Sequence, residues 1–363
     1  MKRNPPDLFL FTVTMCLLAI GLIMVTSASA PESLNLTHGK SALYFGAKQF
    51  LFALIGLGAM LFMMKFPYRN IKRLTVPVFL ITLFTLILVL FIASAVKGSK
   101  RWINIGFFVF QPSELAKLAI IFFLAHYMSE IKKGITNFWI GVIIPLFVVG
   151  LFCGLILLEP DLGTAMVIFA TFMMMLFISG ARMLHMNFLG GLGLSLSTVL
   201  VIVEPYRLQR LFAFIDPWKD ARGDGWQIIQ SLFALGSGGP FGLGLGMGRQ
   251  KFDYLPEAHT DYIFSILGEE LGLMGTVTVI ALFFFLAWRG YKIAISTQDL
   301  YARLLAAGIT SYLIFQAVLN IGVVTSSIPV TGITLPFLSS GGSSLIISLM
   351  SVGILLNISK YAE

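Results

Sequence analysis

Along this chain, polar residues come in short clusters that interrupt long apolar runs. Runs with few or no charges fall at 8–25, 45–64, 74–96, 113–128, 138–158, 162–179, 183–203, 262–288, 303–324 and 335–358. Most approach the roughly 20 residues that an α-helix needs to cross the ~30 Å hydrocarbon core of a bilayer. The run at 113–128 is the short one. The pattern predicts an all-α, polytopic integral membrane bundle of about ten transmembrane helices. It also predicts a long outer loop, 204–260, between the seventh and eighth spans.

Composition agrees with that reading. Of 363 residues, 57% are hydrophobic and only 12% charged, which sets the chain apart from soluble domains. Ten spans with short loops leave no room for a large soluble unit, so residues 1–363 read as one membrane domain. Ala28-Ser29-Ala30 resembles a signal-peptidase site, but the preceding run is long and many spans follow, so an uncleaved first helix is expected. Cys16 and Cys153 both sit in apolar runs and imply no disulfide framework. The net charge of +8 is unaccompanied by a basic, aromatic-interleaved stripe on a soluble module, which excludes nucleic acid as a partner.

Charge sets the expected orientation. With both termini inside, most inner segments carry two or more Lys or Arg, such as Lys65, Arg69, Lys72, Arg73, Lys132, Lys133, Arg289 and Lys292. Two outer loops break the rule. Residues 97–111 hold Lys97, Lys100 and Arg101, and residues 204–260 hold Arg207, Arg210, Lys219, Arg222, Arg249 and Lys251. Either an anionic ligand is handled there, or these are solvated surfaces whose bases are offset by Asp216, Asp220, Asp224, Asp253 and Glu257.

The densest polar cluster in an apolar setting is 254–275, where Glu257, His259, Asp261, Glu269 and Glu270 fall close together. A helix starting near Asp261 would place Asp261, Ser265, Gly268, Gly272 and Gly275 along one face, polar at its mouth and bare further down. Ionisable groups at a membrane boundary are costly and read as functional by default.

Other clusters have two readings each. Gln111-Pro-Ser-Glu-Leu-Ala-Lys117 opens the fourth span, with Glu114 and Lys117 three apart on one face, a working pair or a self-neutralising helix end. Asp161, in Glu159-Pro-Asp-Leu-Gly-Thr164, is placed to cap the sixth span. Residues 223–235 read as a turn and a short amphipathic helix lying at the interface. The glycine-rich run 236–248 lacks the Lys-Ser/Thr ending of a P-loop and reads as a hinge or tight loop over the membrane surface. Pro329 to Ser344 is irregular and hydroxyl-rich, and such backbone is tolerated at membrane depth where it is buried or lines a cavity.

Taken together, these stretches resemble the SEDS family of shape, elongation, division and sporulation proteins (RodA/FtsW/SpoVE). The matching pieces are Lys100-Arg101-Trp102-Ile103, Gln111 to Lys117, Glu159 to Thr164, Gly225-Trp-Gln-Ile-Ile-Gln-Ser231, Leu255-Pro-Glu-Ala-His-Thr-Asp261, Gly268-Glu-Glu-Leu-Gly272 and Pro329 to Ser344. They run in one order through nearly the whole chain. The segments before Leu255 and around Gly332 are closer to the division and sporulation branch, while Ser340 stands where the family usually has Tyr.

The resemblance implies a multi-pass protein of the bacterial cytoplasmic membrane that polymerises lipid II, an undecaprenyl-pyrophosphoryl disaccharide pentapeptide, into glycan strands at the outer face. It implies Asp261 as the essential carboxylate, with Arg101, Trp102, Glu114, Lys117 and Asp161 around the same cavity. Arg207, Arg210, Lys251 and His259 complete the expected substrate-binding set, and no metal ligand is assigned. A divalent cation, Mg²⁺ or Mn²⁺, is the expected bridge on the pyrophosphate. The implied protein partner is a class B penicillin-binding protein, a transpeptidase whose single membrane helix packs against spans eight and nine. Asp261 would act as catalytic base; its rivals are a plain N-cap role for Asp261 and His259 as the base. Two other functions compete with polymerisation, a lipid II flippase and a non-catalytic scaffold for the transpeptidase.

Overall fold

A computed structural model describes residues 4–93, 101–106 and 108–362. Lys2, Arg3, Lys97 and Lys100 lie outside the described residues. The chain forms a helical bundle. Its long helices are α1 (Leu8–Ala28), α3 (Tyr44–Lys65), α4 (Tyr68–Ile92), α5 (Pro112–Ile131), α6 (Trp139–Leu158), α7 (Leu162–Ser179), α8 (Met183–Val203), α11 (Ile263–Ser296), α12 (Leu300–Val324) and α13 (Gly342–Ser359). Three short helices join them: α2 (Ala30–Leu36), α9 (Pro205–Ile215) and α10 (Trp226–Gly238). Between α4 and α5 sits a two-stranded antiparallel hairpin, β1 (Ile103–Ile105) and β2 (Phe108–Phe110), with Ile103 opposite Phe110.

Among the described residues, nine helices are long and apolar enough to cross a membrane. The tenth long helix, α5, has the length but not the apolarity, because it carries a buried ion pair near its start. Its 20 residues run through the inside of the bundle, packed against α4, α7 and α12. The centre belongs to α12 and α13, whose apolar windows are 72% and 83% buried, while α8 is only 6% buried and stands at the periphery.

Helix ends follow local chemistry. Asp7 accepts from Leu10 N at 2.9 Å and Asp299 from Tyr301 N at 3.1 Å, satisfying free amides at the starts of α1 and α12. Pro112 opens α5, where its missing N–H costs nothing. Polar side chains then fasten α13 to α3 at both ends. Asn357 donates to Met64 O (2.9 Å) and accepts from Tyr68 N (3.1 Å), while Gln49 donates to Ser339 O (3.0 Å).

The termini share one end of the bundle. Asn4 N donates to Lys360 O at 3.0 Å, Asp7 N to Ser359 Oγ at 3.0 Å, and Arg289 Nε to Asp7 Oδ2 at 2.9 Å. Lys72 meets Glu130 there too, at 2.5 Å.

Two expectations need correction. The last helix begins at Gly342, not at 335, because residues 335–341 fold back on themselves, with Ser339 Oγ accepting from Leu335 N at 2.7 Å. Helix α10 is the expected short amphipathic helix, with Leu232 and Phe233 exposed and its other face set into the bundle. Its Ser231 is buried, bonded to Ser265 Oγ (2.7 Å) and Val324 O (2.7 Å). Helix α11 is not one continuous face from Asp261 to Gly275. Gly272 breaks it, with φ 67° and ψ −162°, a conformation that a Cβ would strain. The break frees peptide groups that the glycine-rich loop satisfies. Leu243 N bonds Glu269 O at 3.0 Å, Gly244 N bonds Glu270 O at 3.0 Å, and Leu273 N bonds Gly239 O at 2.9 Å.

Candidate active site

At the end of the bundle away from the termini lies a cavity of about 770 Å³. Its walls come from the hairpin strap, the starts of α5 and α7, the end of α8, α9, the turn before α11 and the 328–344 segment. Arg101, Trp102, Glu114, Asp161, Arg207, Arg210 and Asp261 all line it.

Arg101 is fixed by backbone. Its Nε donates to Glu159 O at 2.8 Å and its Nη2 to Pro160 O, which leaves Nη1 4.0 Å from Asp161 Oδ2. Asp161 does cap α7, accepting from Thr164 N (3.0 Å) and Thr164 Oγ1 (2.9 Å), and it faces the cavity as well. Cap and site residue are therefore the same group. Beside it Glu159 is fully buried, and neither of its carboxylate oxygens has a partner among the described residues. Desolvation, reinforced by the nearby Asp161 charge and opposed by Arg101, pushes its pKa up to about 8.

Asp261 precedes α11 and is not its cap. The cap position is Tyr262, and no side chain bonds the first-turn amides. Desolvation and the charges of Glu257 and Asp161 raise the Asp261 pKa to about 6, with Arg101 and Arg210 pulling the other way. Its backbone is held from below, where Asn320 Nδ2 donates to Asp261 O at 2.7 Å and to Ile333 O at 2.7 Å. Opposite, Gly332 has φ 69°, and a Cβ there would lie 3.6 Å from Asp261 Oδ2.

Glu114 and Lys117 form the expected pair at 2.9 Å, both buried. Lys117 stands behind Glu114, not on the cavity wall, and its Nζ also donates to Gln316 Oε1 at 2.6 Å. Gln316 in turn donates to Thr334 O at 2.9 Å. The basic wall is α9. Arg210 stacks 4.3 Å from the Tyr206 ring centroid and donates to Val330 O at 3.3 Å, while Arg207 donates to Leu200 O at 3.1 Å.

Two further residues of the expected set, besides Lys117, are off the cavity wall. Lys251 is buried against Glu270 (2.7 Å), Gly246 O (2.8 Å) and Ser27 Oγ (3.0 Å), where it locks the glycine-rich loop onto α11 and α1. Glu269 serves the same loop, accepting from Arg249 N at 2.7 Å. His259 lies 3.2 Å from Glu32 Oε2 and 5.1 Å from the Phe45 ring, facing α2 and α3. The structure does not bring either to the cavity wall.

Sequence reasoning missed Gln316, Asn320, Glu159 and the helix α9. The first two were signalled by two carboxamides four apart in an apolar span, the spacing of one helix face. Among the described residues, no group of three or more His, Cys, Asp or Glu side chains is placed to hold a metal ion.

Fold and cavity thus define a polytopic membrane protein that gathers ionisable side chains at one end of its bundle. The sequence model of the FtsW/RodA/SpoVE family, described as cell cycle protein, matches residues 7–363, and the chain belongs to that family. It is similar to stage V sporulation protein E of Bacillus subtilis (strain 168), with 48% identity over 100% of this chain and 99% of that one. It is similar also to a probable peptidoglycan glycosyltransferase FtsW of Trichlorobacter lovleyi, with 42% identity over 97% of this chain and 93% of that one. Among solved structures, a chain from a study of polymerization and crosslinking by a peptidoglycan synthase complex superposes with TM-score 0.79. The identity there is 29%, over 98% of this chain and 97% of that one. The crystal structure of the rod shape determining protein RodA of Thermus thermophilus superposes with TM-score 0.74, at 28% identity over 99% and 98% of the two chains.

Proposed function

We infer that this chain is a peptidoglycan glycosyltransferase that polymerises lipid II into glycan strands. The observation that carries the reading is one cavity in which a desolvated carboxyl, Asp261, shares the walls with the guanidinium groups of Arg101 and Arg210. In the reaction a sugar hydroxyl attacks the anomeric carbon of a second lipid-linked sugar. The new C–O bond forms as the bond to the lipid pyrophosphate breaks. The hydroxyl is a weak nucleophile, so a carboxylate must take its proton as the bond forms, and Asp261 is that base. Arg101, pinned by two carbonyls, and Arg210, pinned by one, offer positive charge to the departing pyrophosphate without reorganising. Mg²⁺ or Mn²⁺ carried with the pyrophosphate would supply further charge neutralisation.

The cavity end is taken as the outer face, with both termini in the cytoplasm. Support comes from Lys65, Arg69, Lys72, Arg289 and Lys360, which collect at the terminal end. The partner is a class B transpeptidase, its membrane helix packing on α11 and α12. The synthase complex among the structural neighbours supports a crosslinking partner in general.

The test is direct. The purified protein, with and without its transpeptidase, is given lipid II in detergent and assayed for glycan ladders. Ladders that need this chain support the reading. Scrambling of labelled lipid II in liposomes without ladders would replace it with a flippase.

A further inference from the structure

Asn320 occupies an unusual place for a carboxamide. It lies near the C-terminal end of the central helix α12, is 2% exposed, and spends both hydrogens of its Nδ2 on main-chain carbonyls. One is the carbonyl of Asp261 itself. The other belongs to Ile333, next to Gly332, whose bare Cα faces the Asp261 carboxyl. One amide therefore joins the backbone of the carboxylate to the wall opposite it. Four residues earlier on the same helix face, Gln316 does the same for the neighbouring wall, linking Lys117 to Thr334. The Oδ1 of Asn320 has no partner among the described residues, so the donor end is what the position uses.

We propose that Asn320 is a positioning residue for Asp261, holding its main chain so that the carboxyl points across the cavity toward Gly332. The proposal rests on Asp261 being the base. Asn320 touches neither substrate nor reacting atoms. It acts by fixing the distance and direction from which the proton is taken, a geometric factor to which rates are steeply sensitive. A structural role alone would make Asn320 a bundle fastener, and its loss would lower the folded fraction without altering the folded enzyme.

The readout that separates these is the acid limb of the pH–rate profile. Asp261 is faced by Glu257 from its own turn, by Arg101 and Asp161 from the hairpin strap and the α7 start, and by Arg210 from α9. If its main chain is released, the carboxyl turns toward water, and the lift caused by burial relaxes. The test uses the full chain with its transpeptidase and lipid II. Asn320→Leu removes the donor while keeping the branched shape, Asn320→Ser removes its reach without crowding, and Asn320→Gln keeps a carboxamide. Leu and Ser variants are expected to lose about 10–100-fold in kcat with KM for lipid II within about twofold. Their acid limb should move below that of the parent, and Asn320→Gln should recover part of the rate. A parental kcat per folded molecule and an unmoved limb in Asn320→Ser would overturn the proposal, whether or not Asn320→Leu folds. Full activity in Asp261→Asn would instead remove the base assignment on which it stands.

Discussion

The ammonium of Lys117 lies 2.9 Å from Glu114 Oε1 and 2.6 Å from Gln316 Oε1, with both charged side chains buried in the bundle. Glu114 touches the cavity wall, but Lys117 behind it has no route of its own to that space. Removing one member leaves the other uncompensated, at a cost of about 3–5 kcal/mol. Glu114→Ala and Lys117→Ala are each expected to abolish glycan synthesis and to lower the melting temperature in detergent. Two single variants that stay folded and fully active would reduce the pair to an inert helix end.

Asp261 carries the second prediction. With its pKa near 6, the ionised base is a minority species at pH 5 and dominant at pH 7, so kcat should rise with pH and level off above about 7. The stability effect has the opposite sign. The folded carboxyl binds its proton more tightly than the unfolded one, whose pKa is ~3.9, so stability falls as pH climbs from about 4 through about 6. Asp261→Asn should therefore be at least as stable as the parent at pH 8. It should bind lipid II yet lose about 10²–10⁴-fold in rate. His259→Ala should keep measurable turnover, since His259 faces Glu32 and Phe45. Near-parental ladders from Asp261→Asn would end the assignment.

A third prediction concerns Gly272. A Cβ there would approach Gly242 N to 2.3 Å, and φ is 67°. Gly272→Ala must strain the backbone or expel the glycine-rich loop, with a cost above the ~1–3 kcal/mol of left-handed strain alone. Thermal melting of the variant should show it, and a melting point equal to the parent's would mean that the loop does not seal the break.

Topology gives the fourth. Cysteines introduced at Asp220 and at Lys132 should react with impermeant reagent from opposite faces of a sealed membrane. Reaction of both from one face would overturn the ten-helix path.

The helical spans were legible because one rule dominates them, that backbone in lipid must satisfy itself within a helix. Met183–Val203 and Leu162–Ser179 have the ends that their apolar runs suggested. The cavity was legible in part, because Arg101, Glu114, Asp161 and Asp261 are charges where charge is costly. What the sequence hid is of two kinds. Gly272 looked like one more small residue on a helix face, since a break and a close contact both call for glycine. Asn320 bonds Asp261 across a separation of 59 residues, a contact no local period records. Lys251 was misplaced for the related reason that its buried partner, Glu270, lies on the far side of a folded-back loop.

The break at Gly272 has one more consequence. Residues 263–271 form a separate rod about 13 Å long, and the glycine-rich loop is bonded on both sides of the break, to Glu269 O and Glu270 O above it and to Leu273 N and Met274 N below it. The lipid-crossing portion below is thus joined to the upper rod through the loop as well as through Gly272. Substitutions that tilt or rotate Leu273–Ser296 meet a joint before they reach the carboxylate. A change in the lower half of this helix accordingly reaches the turn of Asp261 by way of the glycine-rich loop, which makes that loop the coupling between the bilayer and the cavity.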